Sequence, residues 1–420
     1  MHPFPVFSGV SLFRVILFTS LLGLVATSNG CKTGRAETRG FNYILTVNGS
    51  PTNGKNVVVK FDLPAGAPVF HSAQMDGSNG QIPVQVVHGK CVIIIPQLTA
   101  NGVSTFRLLE AEPSNALSSM QLETKEDHLL MGPDLAKPTL DYTIGKGKLP
   151  RSGIKESYRR AGFFHPLRTP SGLVISDSYA TNHLHHHGIW FSWTKTEFQG
   201  RNPDFWNVGD NKGTTLFDKV DSTWSGSLEA GFIAGLNYLD FTSGKSIPAL
   251  TEKWEVSEYA FPPAAHYSLL DLKVTDNAIV DPLILPTYHY GGLGFRGLDS
   301  WNGAGNWKVL TSEGVTDRVK ANETKARWCY LGGMTEGKQA GIVIMSAPSN
   351  FRDPQPIRVH PSEPFFCYAP SQGGDWSIIP GKPYISQYRM ILLDGAPNAE
   401  EIERLYQQYA HPVHATVEKR

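Results

Sequence analysis

The feature that most constrains the fold of this chain is a succession of short β-type apolar runs along most of its length, against a single stretch of helical spacing. Residues 41–47 lead into an Asn48-Gly49 turn, and 57–61 and 91–96 follow. Beyond Leu140 the runs recur at 173–175, 189–193, 251–256, 267–274, 340–345 and 384–393. Segments of this kind, bounded by Gly, Pro and Asn, read as strands. The exception lies near the C-terminus, where Ile402, Leu405, Tyr406 and Tyr409 fall at i, i+3, i+4 and i+7. Asn398 stands where it can cap that helix, and Glu400 and Glu401 occupy its first turn. Strands without helices between them bury their faces against other sheets. The expectation is therefore a mainly β protein with a small N-terminal β domain over residues 38–111. A connection rich in Ser, Glu and Pro follows over 112–137, then a large two-sheet β-sandwich over 138–412 that ends in the short helix.

Charge narrows the partners. The 420 residues carry 38 Lys and Arg against 38 Asp and Glu, with no basic block. Nucleic acid or an anionic membrane surface would call for a basic face, so the substrate is expected to be neutral or mixed in charge. At the N-terminus, Arg14 precedes an apolar run over 15–26, which falls short of the ~20 residues of a bilayer span and has the shape of a secretory leader. Residues 1–31 are expected to be a signal peptide, cut after a small residue or lipid-modified at Cys31, and the protein to be exported. No other stretch is long and apolar enough to cross a membrane. After Cys31 only Cys91, Cys329 and Cys367 remain, so no disulfide framework exists and the core must hold the fold.

The densest chemistry is His183-Leu184-His185-His186-His187-Gly188, which runs into Ile189-Trp190-Phe191-Ser192-Trp193. On an extended strand, side chains alternate, so His183, His185 and His187 would share one face and His186 the other. Three imidazoles on one face suit a divalent metal, with Glu252 as a further ligand to two of them. The same imidazoles suit proton transfer near neutral pH, with His185 or His187 as base or acid and Tyr288 or His289 as partner. Glu252 shares a strand face with Trp254, which would set a carboxylate beside an aromatic platform, while Glu255 points away. Tyr288, His289, Tyr290 and Arg296 surround Gly291 and Gly292, where a ligand can approach the backbone closely. Arg296 would hold or neutralise an acidic or oxidised sugar. Asp204-Phe205-Trp206-Asn207, Asp299 and Trp301 could add hydrogen bonds and stacking. Asn350, Arg352, Arg358 and His360 lie in a Pro-rich loop, where arginine suits a substrate carboxylate.

These residues also carry a resemblance. The stretch 158–172, with His165 at its centre, is followed by 183–193, Asp204-Phe205-Trp206, 288–297, Arg327-Trp328-Cys329, Asn350 with Arg352, and His360. In that order over about residues 40–395 they resemble the DUF6807 family of secreted bacterial proteins, also labelled methane oxygenase PmoA. The label implies a copper-dependent membrane oxygenase, whose long apolar spans this chain lacks. The resemblance implies a sandwich similar to the galactose-mutarotase-like supersandwich of aldose epimerases and polysaccharide lyases, and membership among proteins found with sugar-processing enzymes. Read residue by residue, the expected substrate-binding residues are His165, Asp204, Trp206, Arg296, Asn350, Arg352 and His360. The expected function is an exported carbohydrate-active hydrolase, lyase or epimerase using His185, His187, Tyr288, His289 and Glu252. The alternatives are a His-ligated metal enzyme of a non-sugar substrate and a glycan-binding protein without turnover.

Overall fold

The computed structural model of the chain describes residues 42–112, 119–262 and 264–420. The expected leader, Cys31 and the middle of the expected connection lie outside the described residues. No helix among the described residues is long and apolar enough to cross a membrane.

The fold is mainly antiparallel β. Two eight-stranded sheets make the large body. In the first, the central neighbours are Phe163–Leu167, Ile189–Ser192, Gly292–Arg296 and Phe365–Tyr368. In the second, long strands such as Gly213–Trp224, Glu229–Asp240, Ile247–Tyr259, Tyr267–Ala278 and Tyr384–Asp394 pair in turn. The sheets face each other across one apolar core, to which Phe164, Ile189, Phe191, Phe295 and Tyr368 contribute from the first and Phe232, Trp254, Leu272 and Leu392 from the second. The helix Ala399–Ala410 covers the far side of the second sheet with Ile402, Leu405 and Tyr406, and the Asn398 side chain accepts the amides of Glu400 and Glu401.

Toward the N-terminus, Tyr43–Asn48, Gly54–Phe61, Lys90–Leu98 and Val103–Leu109 belong to smaller sheets with their own core. The last strand of the chain, His414–Lys419, pairs with Tyr43–Asn48, so the first and last described strands share a sheet. Residues 112–137, expected as a plain connection, include the hairpin Gln121–Lys125 and His128–Gly132, which adds the outermost strands to the first large sheet. Leu129 and Met131 are fully buried there; their spacing of two is the strand signal that the surrounding Glu, Lys and Ser obscured.

The first sheet is apolar on both sides. Phe164, Phe191 and Phe366 point into the sandwich, while the intervening Phe163, Trp190, Phe365 and Cys367 point outward into a second cluster with Trp206 and Tyr179. Gly294 has no Cβ because the Trp190 ring lies where it would be, at 2.8 Å. This outer face is the floor of the site described below.

One buried acid gives a pH test of the fold. Glu258 is 1% exposed, and burial pushes its carboxyl from the usual 4.5 up to about 8, opposed only by the Thr139 hydroxyl. A carboxyl held neutral in the folded state contributes stability that is complete below pH 4.5 and is lost as pH rises through about 8. Glu258→Gln is expected to flatten that loss, which approaches about 1.4 kcal/mol per pH unit inside the window. Urea midpoints of both proteins from pH 5 to 9 check it, and parallel curves would contradict it.

Candidate functional site

The His segment is a turn, not a strand. His183 N–H donates to Ala180 O at 3.0 Å, His186 N–H donates to His183 O at 2.9 Å, and the strand begins only at Ile189. In a turn of this kind residues three apart, rather than two apart, come to the same side. The rings of His183 and His186 accordingly stack in parallel, 4.7 Å apart at 8°, and the other side of His186 stacks on Phe365 at 4.5 Å. The expected grouping of His183, His185 and His187 is therefore replaced by His183 with His186.

Glu363 completes the group. Glu363 lies in the tight turn just before the strand Phe365–Tyr368, where the Phe365 N–H donates to the Glu363 carbonyl at 2.8 Å, and its carboxylate reaches the histidines from there. One ring nitrogen each of His183 and His186 and one carboxylate oxygen of Glu363 lie within 4.8 Å of one another. Glu363 Oε2 is 2.9 Å from His183 Nδ1 and accepts Arg296 Nη1 at 3.1 Å. Arg296 is fully buried, and its Nη2 also donates to Asn182 Oδ1, Asp299 Oδ1 and Asn302 Oδ1 at 2.9–3.2 Å. It holds the carboxylate and both flanking loops in place and has no free face for a sugar, which corrects its expected role.

The group opens on a cavity of about 220 Å³ lined also by His185, Asn207, His289, Tyr290, Arg358 and His360. Asp204 builds one wall by accepting the amides of Trp206 and Asn207 and the Asn207 side chain, whose Nδ2 in turn meets the Tyr290 hydroxyl at 3.1 Å. His360 Nδ1 accepts the amide of Glu363 at 3.0 Å, so its proton sits on Nε2 and it offers a donor. Burial lowers the imidazoles of His183, His186 and His289, and pushes His185 down to about 3, leaving neutral rings with lone pairs to offer near pH 7.

The remaining expected residues stand elsewhere. His187 is fully buried, its ring stacked on Phe163 at 4.2 Å and its Nδ1 2.9 Å from Ser178 Oγ. It belongs to the floor, so His187→Ala is expected to cost about 2–4 kcal/mol of stability without changing metal content, which thermal melts and elemental analysis check together. Glu252 lies inside the sandwich, accepting Tyr238 Oη at 2.6 Å and Trp254 Nε1 at 2.7 Å. Glu252 and Trp254 do share a face, but that face is the core. Trp206, unlike these, does line the cavity, though its ring is almost wholly enclosed against His186 and Tyr290. Trp301 is buried as well. His165 meets Ser176 Oγ at 3.1 Å outside the cavity. Tyr288 lies under Lys195 at 5.3 Å and touches His289 without lining the cavity. Asn350 ties Gln387 through both amide atoms, and Arg352 donates to Pro370 O and Gly374 O, so both brace loops. Glu363 is the residue the sequence reading passed over. Its signal was faint: a lone acid three residues after His360 in a Pro-rich loop.

Fold and site together define an antiparallel two-sheet sandwich with an imidazole and carboxylate centre on the outer face of one sheet. The chain belongs to DUF6807, a family of unknown function, whose model matches residues 136–407. No curated protein matches it. Among solved structures it is similar to a protein in glycosyl hydrolase family 38 from Enterococcus faecalis, with TM-score 0.42 and 9% identity over 90% of this chain and 47% of that one. It is also similar to an alpha-mannosidase from Enterococcus faecalis V583, with TM-score 0.37 and 9% identity over 90% and 46%. The chain spans about half the length of these structures, and likeness at this level bears on neither substrate nor mechanism.

Proposed function

We propose that this chain is an exported, metal-dependent enzyme acting on a carbohydrate or glycoside, with His183, His186 and Glu363 holding a divalent cation. The observation that carries the reading is the convergence of their three ligand atoms within 4.8 Å. Two imidazoles and one carboxylate are a common ligand set of open, catalytic zinc and non-haem iron sites, which keep positions for water or substrate. Arg296 behind Glu363 is the kind of partner that fixes a ligand's orientation. An ion held there would act as a Lewis acid toward a substrate oxygen or a bound water.

The chain's own residues supply the rest. His185 and His289 reach the cavity as neutral imidazoles whose lone pairs can accept hydrogen bonds from substrate hydroxyls, and the burial that lowers His185 to about 3 makes it a hydrogen-bond acceptor rather than a base near neutral pH. His360 donates from Nε2, and Asn207 and Tyr290 offer hydrogen bonds to hydroxyl groups. A polar lining and a volume of about 220 Å³ suit one sugar ring or a chain end rather than a long glycan. Export rests on the apolar run over residues 15–26.

A second reading rests on the 2.9 Å between His183 Nδ1 and Glu363 Oε2: a metal-free pair in which the carboxylate orients the imidazole as a base. A panel of glycosides and glycans assayed with chelated and remetallated protein separates the two. Turnover that vanishes on chelation and returns with metal is the expected result. Full turnover after complete chelation would favour the metal-free pair, and glycan binding without turnover in either form would favour a binding protein.

A further inference from the structure

Three arginines offered themselves to a substrate carboxylate in the sequence, and the structure leaves one. Arg296 is fully buried and bonded to Glu363 and Asp299. Arg352 donates to the carbonyls of Pro370 and Gly374. Arg358 lines the cavity with its side chain 18% exposed. Its Nη1 donates to Asn322 Oδ1 at 2.9 Å, which fixes the plane of the guanidinium, and Asn322 Oδ1 also accepts Val359 N–H. Its Nε and Nη2 make no hydrogen bond among the described residues. These two N–H groups lie on one edge of the guanidinium, parallel and spaced for the two oxygens of a carboxylate.

The charge around the cavity points the same way. Among the described residues Glu363 is the one acid in the lining, and Arg296 already meets it. Among the described residues the acid paired with Arg358 is Glu323, at 3.9 Å from Nη1 and with its side chain 55% exposed to solvent. The Arg358 charge is thus unmatched within the cavity, and a divalent cation at His183, His186 and Glu363 would add to the excess. We infer that Arg358 is the specificity-determining residue of this cavity and that the substrate carries a carboxylate, as a uronic or aldonic acid does. The inference rests on the reading of this cavity as the substrate site. Arg358 acts as a binding residue and takes no part in proton transfer.

The test is calorimetric titration of the full chain, loaded with the metal it is purified with, against glucuronate, galacturonate and mannuronate, each beside its neutral hexose. Glucose 6-phosphate and glucose 6-sulfate extend the panel. At least one uronate is expected to bind about 10- to 100-fold more tightly than its hexose, the range of a charge-assisted pair of hydrogen bonds. Arg358→Met is expected to erase that preference while leaving metal content and melting temperature unchanged. Equal binding of every acid and its hexose, a preference that survives Arg358→Met, or tighter binding of the phosphate or sulfate than of any uronate would each overturn it. Metal content read by elemental analysis of the same samples decides the metal reading separately, because the comparison of acid with hexose can be made on protein of either content.

Discussion

His186→Ala is expected to lose bound metal and turnover together while remaining folded. The imidazole contributes one of three ligand atoms within 4.8 Å, and its ring is held between His183 and Phe365. Changing only the residues behind metal ligands costs roughly 10- to 100-fold in metal affinity, so removing a ligand outright should cost at least ~10²-fold. Turnover should fall by about 10²- to 10⁴-fold, the range for losing a group that acts directly on the reacting atoms. Because His186 is 4% exposed, the alanine also leaves a gap in the aromatic floor. Glu363→Gln, which keeps the shape and one acceptor oxygen but removes the charge that meets Arg296, guards against confusing that gap with the loss of a ligand. It should lose metal with little repacking. His185→Ala is the contrasting variant: the ring lines the cavity outside the ligand group, so metal content should stay while turnover drops. Metal content, melting temperature and kcat measured on all three variants decide the matter. Metal retained by His186→Ala and Glu363→Gln would remove the centre from the account.

Arg296→Met should be the most damaging single change to the site's scaffold. The guanidinium has no exposed surface and meets Glu363, Asp299, Asn182 and Asn302 at once. Removing one partner of a buried ion pair leaves the other charge uncompensated and typically costs about 3–5 kcal/mol. The lower end applies here, since the Asp299 side chain is 34% exposed and water takes over part of its charge. The loops bearing Asn182 and Glu363 lose their common anchor, so metal affinity should fall by roughly 10- to 100-fold as well. The double variant Arg296→Met with Glu363→Gln should recover part of the stability, because no lone carboxylate remains at 363, but none of the metal. Chemical denaturation of the single and double variants measures the coupling. Additive losses would mean that the pair is not the unit described.

The fold was legible in the sequence because its signals are local. Strand alternation, turn residues and the spacing of Ile402, Leu405 and Tyr406 report on neighbours a few residues away, and the sandwich with its terminal helix follows from them. Strands that meet across the whole chain were not legible: nothing local says that 414–419 pairs with 43–48. The importance of the His segment was legible from its density, and its geometry was not. An alternation rule applied to 183–187 grouped the wrong rings, because Thr181-Asn182 and Gly188 mark a turn and the spacing of three is then the one that counts. Gly188 had a plain role that its neighbours hid: a Cβ there would collide with the Phe164 carbonyl, so the chain can pass close to the first sheet only without one. Glu252 misled for the opposite reason. Its place on a strand face was right, but which face of a sheet looks into the core depends on the partner sheet, and Trp254 beside it is wholly buried. Glu363 and Arg296 come from distant segments and meet only through the pairing of Gly292–Arg296 with Phe365–Tyr368. The free edge of Arg358 depends on Asn322 in the same way.

The central claim is that His183, His186 and Glu363 are a metal centre, and anomalous diffraction from crystals of the full chain grown with zinc, manganese(II) or iron(II) tests it most directly. The account predicts one strong anomalous peak bonded to a ring nitrogen of each histidine and to the Glu363 carboxylate at about 2.0–2.2 Å, absent from crystals of Glu363→Gln. No peak at saturating metal, or a peak bonded to His185 and His187 instead, would contradict it.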